Sequence, residues 1–259
     1  MNQDRTTKTN KEAGDGQPDS VPPPPWERVP RRSGGRRRDP LTRKAIVEAA
    51  LGVLDAEGLD RFSMRRVADE LDTGAASLYW HVGSKDGLLD LIFDEVIGEQ
   101  EVPDPDPERW QGQLKQVART MRETILRHRD IVRISIGRVP MGPNALRYSE
   151  RVLAILRAGG VPDQLAVLGH HLLISVVNGF TMDEIAHEGG QPPADEPPLE
   201  EAAAMAREYI ASLPGDLFPN MVAVADHFAI TDQDMRFELL LDIFVEGLAR
   251  RAATWESVR

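Results

Sequence analysis

Two clusters of side chains in this 259-residue chain have types and spacings that could do chemistry. The first is Ser77, Tyr79, Trp80 and His81, with Lys85 following and Arg65 and Arg66 preceding. Hydroxyl, imidazole and cationic groups of this kind bond to phosphates and base edges, and the free amides of a helix opening after Ser84 would complete a phosphate site beside Lys85. The second cluster is His170, His171, Asp183, Glu184 and His187. Asp183 and His187 are four residues apart, so one helix would present both on one face, as a metal-binding enzyme could use them together with His170. Two neighbouring ligands do not make a site, however, and no HExxH, nucleophile elbow or phosphate loop occurs. The second cluster therefore reads as a polar helix end plus two interface histidines, and neither catalysis nor a metal or other cofactor is expected of it.

The charge around the first cluster is unevenly placed. Net charge is −11, yet residues 1–66 hold fourteen Lys and Arg against ten Asp and Glu, whereas residues 67–259 hold seventeen against thirty-two. A basic front on an acidic body sets one end against a polyanion and keeps the rest away from it. The absence of cysteine excludes a disulfide framework and thiolate-ligated metals. The polar stretch from Met1 to Lys11 does not read as a secretory signal, so a cytoplasmic location is expected. Leu165 to Met182 lacks Asp, Glu, Lys and Arg, but it carries His170, His171, Ser175, Asn178 and two glycines. That load suits the central helix of a soluble bundle better than a membrane span, and no membrane partner is expected.

The elements that must position these groups follow from spacing. Residues 1–39 are proline-rich, carry five arginines between Arg31 and Arg38, and hold too few apolar side chains to fold alone. This arm either solubilises the chain or tracks phosphates beside the main contact. From Leu41 onward the pattern predicts helix after helix and no strand, hence an all-α fold. Ile46, Ala49, Ala50, Val53 and Leu54 form an apolar stripe ending at Gly58, and Ser63 and Ser84 are N-caps. Asp72-Thr73-Gly74 is a tight turn, and Gly83 ends the short helix that begins at Ala75. Pro103, Pro105 and Pro107 forbid helix, which places a domain boundary between residues 40–101 and 102–259. Beyond it helices are expected near 108–128, 130–137, 144–159, 163–188, 199–213 and 232–254, with a mobile loop over 189–198.

Two short helices joined by a three- or four-residue turn are the requirement for a helix-turn-helix. Here Ser63–Leu71 would brace, while Ala75–His81 would lay its exposed face in a major groove. Leu78 can face inward, which leaves Ser77, Tyr79, Trp80 and His81 toward solvent. Tyr79 can instead pack on the next helix, Trp80 can be a packing residue, and Arg66 reads as a solvated charge.

The segment Leu41–Glu95, with AALGVLDAEGLDRFSMRRVADEL followed by SLYWHVGSKDGLLDLI, resembles the DNA-binding domain of the tetracycline-repressor family. LYWHV followed by K..LL is similar to the tetracycline repressor subgroup in particular, and WQGQLKQVARTMRETILRHRDIV extends the resemblance more loosely. It implies DNA contacts at Arg65, Ala75, Ala76, Ser77, Tyr79, Trp80, His81 and Lys85. Ala75 and Ala76 depart from that subgroup's amide and proline, so a different operator sequence is implied. Asp72 stands where the family carries a glycine, a position Asp tolerates in left-handed backbone.

The resemblance also implies a C-terminal helical bundle that dimerises and holds a small effector, which would make the chain a regulator, a repressor released from a palindromic operator or else an activator. Independent support for a homodimer comes from Phe237, Leu240, Leu241, Phe244 and Leu248 in the last helix and from Leu168, Leu172, Val176 and Gly179 in the uncharged one. Ser135 falls at the family's principal metal-ligand histidine, Arg138 at the next contact and Asp183 near its acidic one. The lost histidine argues against a magnesium–tetracycline chelate and for another small hydrophobic compound. Met121, Ile125, Met141, Val176 and Phe180 are its candidate apolar lining.

Overall fold

The computed structural model describes residues 41–128, 130–189, 199–228 and 232–255, and among these it contains eleven α-helices, one 3-10 turn and no strand. The arm over 1–39 and the loop over 190–198 lie outside the described residues.

The first four helices form an N-terminal head. In α1 (Arg43–Glu57), Thr42 accepts the Ala45 amide as N-cap, and Ile46, Val47, Ala50, Val53 and Leu54 are buried. The stripe ends because Gly58 takes φ 80, a left-handed value that costs glycine little. In α2 (Met64–Glu70), Ser63 accepts the Arg66 amide. The turn into α3 (Ala75–Val82) passes through Asp72 at φ 48, as expected at that position. Ser84 then caps α4 (Lys85–Gly98) by accepting the Gly87 amide. A side chain on Gly87 would meet the Val82 carbonyl oxygen at 2.6 Å, so glycine there lets α4 start directly against the end of α3. Ile46, Leu54, Leu78 and Leu88 are fully buried, each contributing roughly 2 kcal/mol by area.

Residues 101–106 form neither helix nor strand, and α5 (Trp110–Arg127) begins the body. It is followed by α6 (Ile131–Ser135), α7 (Pro143–Ala158) and α8 (Asp163–Gly189). Then come α9 (Leu199–Ala211), α10 (Pro219–Ala223), the 3-10 turn Ala225–His227 and α11 (Gln233–Ala253). α5 packs on α7, α8 and α11, while α4 packs on both α1 and α7, so one continuous apolar core runs through head and body. Asp94, buried in α4, accepts the Ala145 amide at 2.9 Å and so caps α7 from the head side.

α8 is long and apolar enough to cross a membrane by length and composition. In the fold one side of it, including Leu165, Leu173 and Val177, is core, while Val167, Leu168 and Leu172 face outward. On α11 the expected outward stripe is corrected. Phe237, Leu241 and Leu248 are buried and Leu240 and Phe244 half-buried, because this stripe closes the chain's own core against α5 and α8. Met235, Leu239 and Ile243, spaced four apart, are the exposed ones. α10 and the 3-10 turn were not legible in the sequence, since α10 is five residues long and buries nothing.

Candidate nucleic-acid interface and effector region

Leu78 and Val82 pin α3 to the head, and the rest of the helix is turned out. Tyr79 is 48% and Trp80 52% exposed, and Ala76 and Ser77 are exposed beside them. Tyr79 therefore does not pack away against α4. Trp80 and His81 meet edge to face with ring centroids 4.7 Å apart, which stiffens both without burying either ring. Arg43 donates to the His81 carbonyl at 3.4 Å, tying the end of α3 to α1. Arg65 is exposed at the start of α2, and Ala75 and His81 are partly exposed.

Lys85 has a tether that sequence reasoning missed. Its Nζ donates to the Phe62 carbonyl at 2.8 Å and lies 5.5 Å from the centre of the Phe62 ring. An ammonium has three donors, so the tether fixes the charge near the start of α4 while leaving capacity for a phosphate. Arg66 is not a free solvated charge. It pairs with Glu57 and, at 2.9 Å, with Glu70, and the hydrogen bond it donates to Glu57 is the main cause that raises its pKa. Next to α3, Asp69, Asp72, Thr73, Gly74 and Ser77 line an open polar hollow of about 470 Å³.

The residues expected to hold an effector sit in differing surroundings. Met121 and Ile125 are buried in α5, and Met141, Val176 and Phe180 are half-buried. The Ser135 hydroxyl donates to the Val132 carbonyl at 2.7 Å. Arg138 does not face a cavity, because two carboxylates one turn apart on α4 draw it outward: it pairs with Asp90 and, at 3.2 Å, with Asp86. Asp183 is exposed beside Arg236, and the acid that faces the interior is its neighbour Glu184. A hollow of about 620 Å³ along α5, lined by Thr120, Glu123, Thr124, Leu126 and Arg127, includes none of these candidates.

Glu184 is buried and bonded by Arg122 through Nε at 2.8 Å and through Nη2, while Arg122 also reaches Asp234 at 2.7 Å. The Glu184 hydrogen bond, first among its causes, pushes the Arg122 pKa up. The guanidinium also lies over the Phe237 ring at 4.9 Å. The signal for this pair was present in the helical period, since Glu184 falls in line with Leu173, Val177 and Thr181 and Asp183 does not.

His170 is buried near Tyr148 of α7, ring centroids 6.4 Å apart, and its Nε2 has no hydrogen-bond partner among the described residues. Burial pushes its pKa down to about 4, with the neighbouring His171 adding to the shift, and burial pushes that of Tyr148 up. Two of the three residues of the alternative enzyme centre have described side chains. His170 is buried, Asp183 faces outward, and the side chain of His187 is outside the described ones. Among the described residues no three His, Asp or Glu groups come close enough to hold a metal.

A capped helix-turn-helix with an exposed polar and aromatic second helix, carried on a larger helical body, defines a DNA-binding regulator. Comparison with known proteins places it more closely: residues 46–92 match the bacterial regulatory proteins of the tetR family, residues 102–252 match the tetracyclin repressor-like C-terminal domain, and the chain belongs to that family. It is 37% identical over 155 residues to an HTH-type transcriptional regulator of Saccharopolyspora erythraea, a match covering 60% of this chain and 63% of that protein, under two thirds of its length. It is 34% identical to the HTH-type transcriptional repressor DrrR1 of Streptomyces coeruleorubidus, over 78% of each chain. The crystal structure of the Streptomyces coelicolor TetR family protein ActR in complex with actinorhodin superimposes with a TM-score of 0.76 at 46% identity, covering 83% of this chain and 98% of that one. The relatives are transcriptional regulators, not enzymes.

Proposed function

We propose that the chain is a homodimeric transcriptional repressor that occupies a palindromic operator and leaves it when a small hydrophobic effector binds the body. The observation that carries this is the exposed face of α3, where Ser77, Tyr79, Trp80 and His81 stand clear of the core on a helix pinned by Leu78. Arg65, Ala75, Ala76 and Lys85 extend the same interface. The head is assigned to residues 40–101 and the effector and dimer body to 102–259, with 1–39 as an arm.

Dimerisation is supported by the uncovered apolar faces of α8 (Val167, Leu168, Leu172) and α11 (Leu239, Ile243). Two such neighbouring faces suit a four-helix contact with a second copy better than lipid, consistent with a cytoplasmic protein. A two-fold axis would set the α3 helices about 34–36 Å apart, one turn of duplex. For the effector, ActR complexes with actinorhodin and with (S)-DNPA support a small-molecule ligand in a body of the same fold. Met121, Ile125, Met141, Val176 and Phe180 are proposed as its apolar lining, with Ser135, Arg138 and Asp183 at the margin and the unpaired His170 Nε2 as a polar group within reach of α7.

Selection of duplexes from a random pool by the purified protein tests the reading. A palindromic consensus is expected; retention without a consensus, or no retention, would refute sequence-specific recognition.

A further inference from the structure

We propose that the α5–α6 turn is a latch, built on Asp130 and His128, that fixes the stance of the reading head on the body, so that head and α6 move as one piece. The proposal deepens the reading of α3 as the DNA-reading element. Asp130 takes φ 61, a left-handed conformation that a non-glycine residue keeps only where the surroundings compensate for it. The compensation comes from the head: Asp130 Oδ2 accepts the Leu59 amide, in the turn after α1, at 2.7 Å. Three residues on, Arg133 bonds Asp130 at 3.2 Å and Asp60, next to Leu59, at 2.9 Å. Just before Asp130, the His128 ring sits with Nδ1 3.1 Å from Asp55 of α1 and Nε2 3.0 Å from Glu99 at the end of α4. Its ring is only 11% exposed, while Asp55 and Glu99 each keep about a third of their side chains in solvent, so the imidazole is held between two half-buried carboxylates.

The consequence concerns how a change in the body reaches α3. With the head held only through α4, as Arg138 and Asp94 hold it, α4 could swing while α1 stayed behind. Here His128, Asp130 and Arg133 grip both ends of the head, α1 with its following turn and the end of α4. A displacement of α6 that pulls α4 through Arg138 must then carry α1 through Asp130 and His128. The three-helix head turns as a unit, and the direction of α3 is set at this turn. None of the latch residues lies on the exposed face of α3, so they are positioning residues and not DNA contacts.

The chain has no cysteine, so Glu48→Cys on α1 and Glu150→Cys on α7 give two unique sites for nitroxide labels. Labelled chains diluted in excess unlabelled protein report the head-to-body distance within one chain, whether or not it dimerises. Asp130→Gly keeps the left-handed backbone and removes the acceptor; Asp130→Asn keeps an oxygen acceptor and tolerates the same backbone. The native chain and Asp130→Asn should each give one narrow distance population, whereas Asp130→Gly, alone or with His128→Ala, should broaden or shift it. On a duplex recovered by selection, Asp130→Gly should bind roughly fivefold more weakly, from one lost hydrogen bond, and Asp130→Asn within about twofold of native. A distance distribution in Asp130→Gly with His128→Ala that matches the native one overturns the latch. If the protein selected no duplex, the DNA-binding reading would fail while the distance measurement still decided the latch.

Discussion

The head and the body both leave large side chains in the open, but with opposite chemistry. On α3 the exposed groups are Tyr79 and Trp80 beside a hydroxyl and an imidazole, whereas on α8 and α11 they are Leu168, Leu172, Leu239 and Ile243 with no polar purpose of their own. The interiors reverse the contrast. The head's core is apolar apart from Asp94, whereas the body buries Gln113, Thr124, His170, Thr181 and Glu184. A polar exposed face on an apolar core suits a surface that reads a wet, charged duplex. An apolar exposed face over a partly polar interior suits one that mates with a second copy and admits a small molecule.

Substitutions that fall on the two sides of this contrast should break it unequally. Glu184→Ala, which leaves the Arg122 charge with only the exposed Asp234 as a carboxylate partner among the described residues, should cost up to about 3–5 kcal/mol in urea unfolding. Leu78→Ala should cost about 2–5 kcal/mol, seen as early melting of the head by calorimetry. His170 supplies a pH test of the body's interior. Its folded pKa of about 4 lies below the ordinary 6.5, so the unfolded chain binds the extra proton between those values. Stability is therefore full above pH 6.5 and falls as pH drops toward 4, by up to about 3 kcal/mol. His170→Met should flatten that part of the profile, and an unchanged slope would place the proton elsewhere. Tyr79→Ala should leave the melting temperature alone and weaken operator binding by about 1–3 kcal/mol in a titration. Asp183→Ala, at an exposed position beside Arg236, should change unfolding by less than about 1 kcal/mol. An equal loss from Asp183→Ala and Glu184→Ala would mean the inward and outward faces of α8 are misassigned.

The same contrast explains what the amino-acid sequence disclosed. The head was legible almost residue by residue, including the Ser63 and Ser84 caps and left-handed Asp72, because its signals are local and one contiguous stretch carries the whole of the proposed interface. The body's helices between Trp110 and Ala253 were legible too, apart from α10, since their periods are strong. Its site was not. Which face of α8 turns inward depends on α5 and α7, and Arg138 was drawn away by Asp86 and Asp90, some fifty residues earlier in the chain. The α11 stripe showed the same limit, because periodicity reveals an apolar face without saying whether the chain or its copy covers it. The Lys85 tether to a main-chain carbonyl and the Asp130 cap on Leu59 have no sequence pattern at all.

The central claim is that the outward face of α3 reads bases as one half of a symmetric pair. It is tested most directly by repeating the duplex selection with Ala76→Gln and with Ser77→Ala alongside the native chain. The account predicts that each substitution alters the preferred base at one position, and at its mirror position in the other half-site. A consensus and affinity untouched by both changes, or altered in one half only, would contradict it.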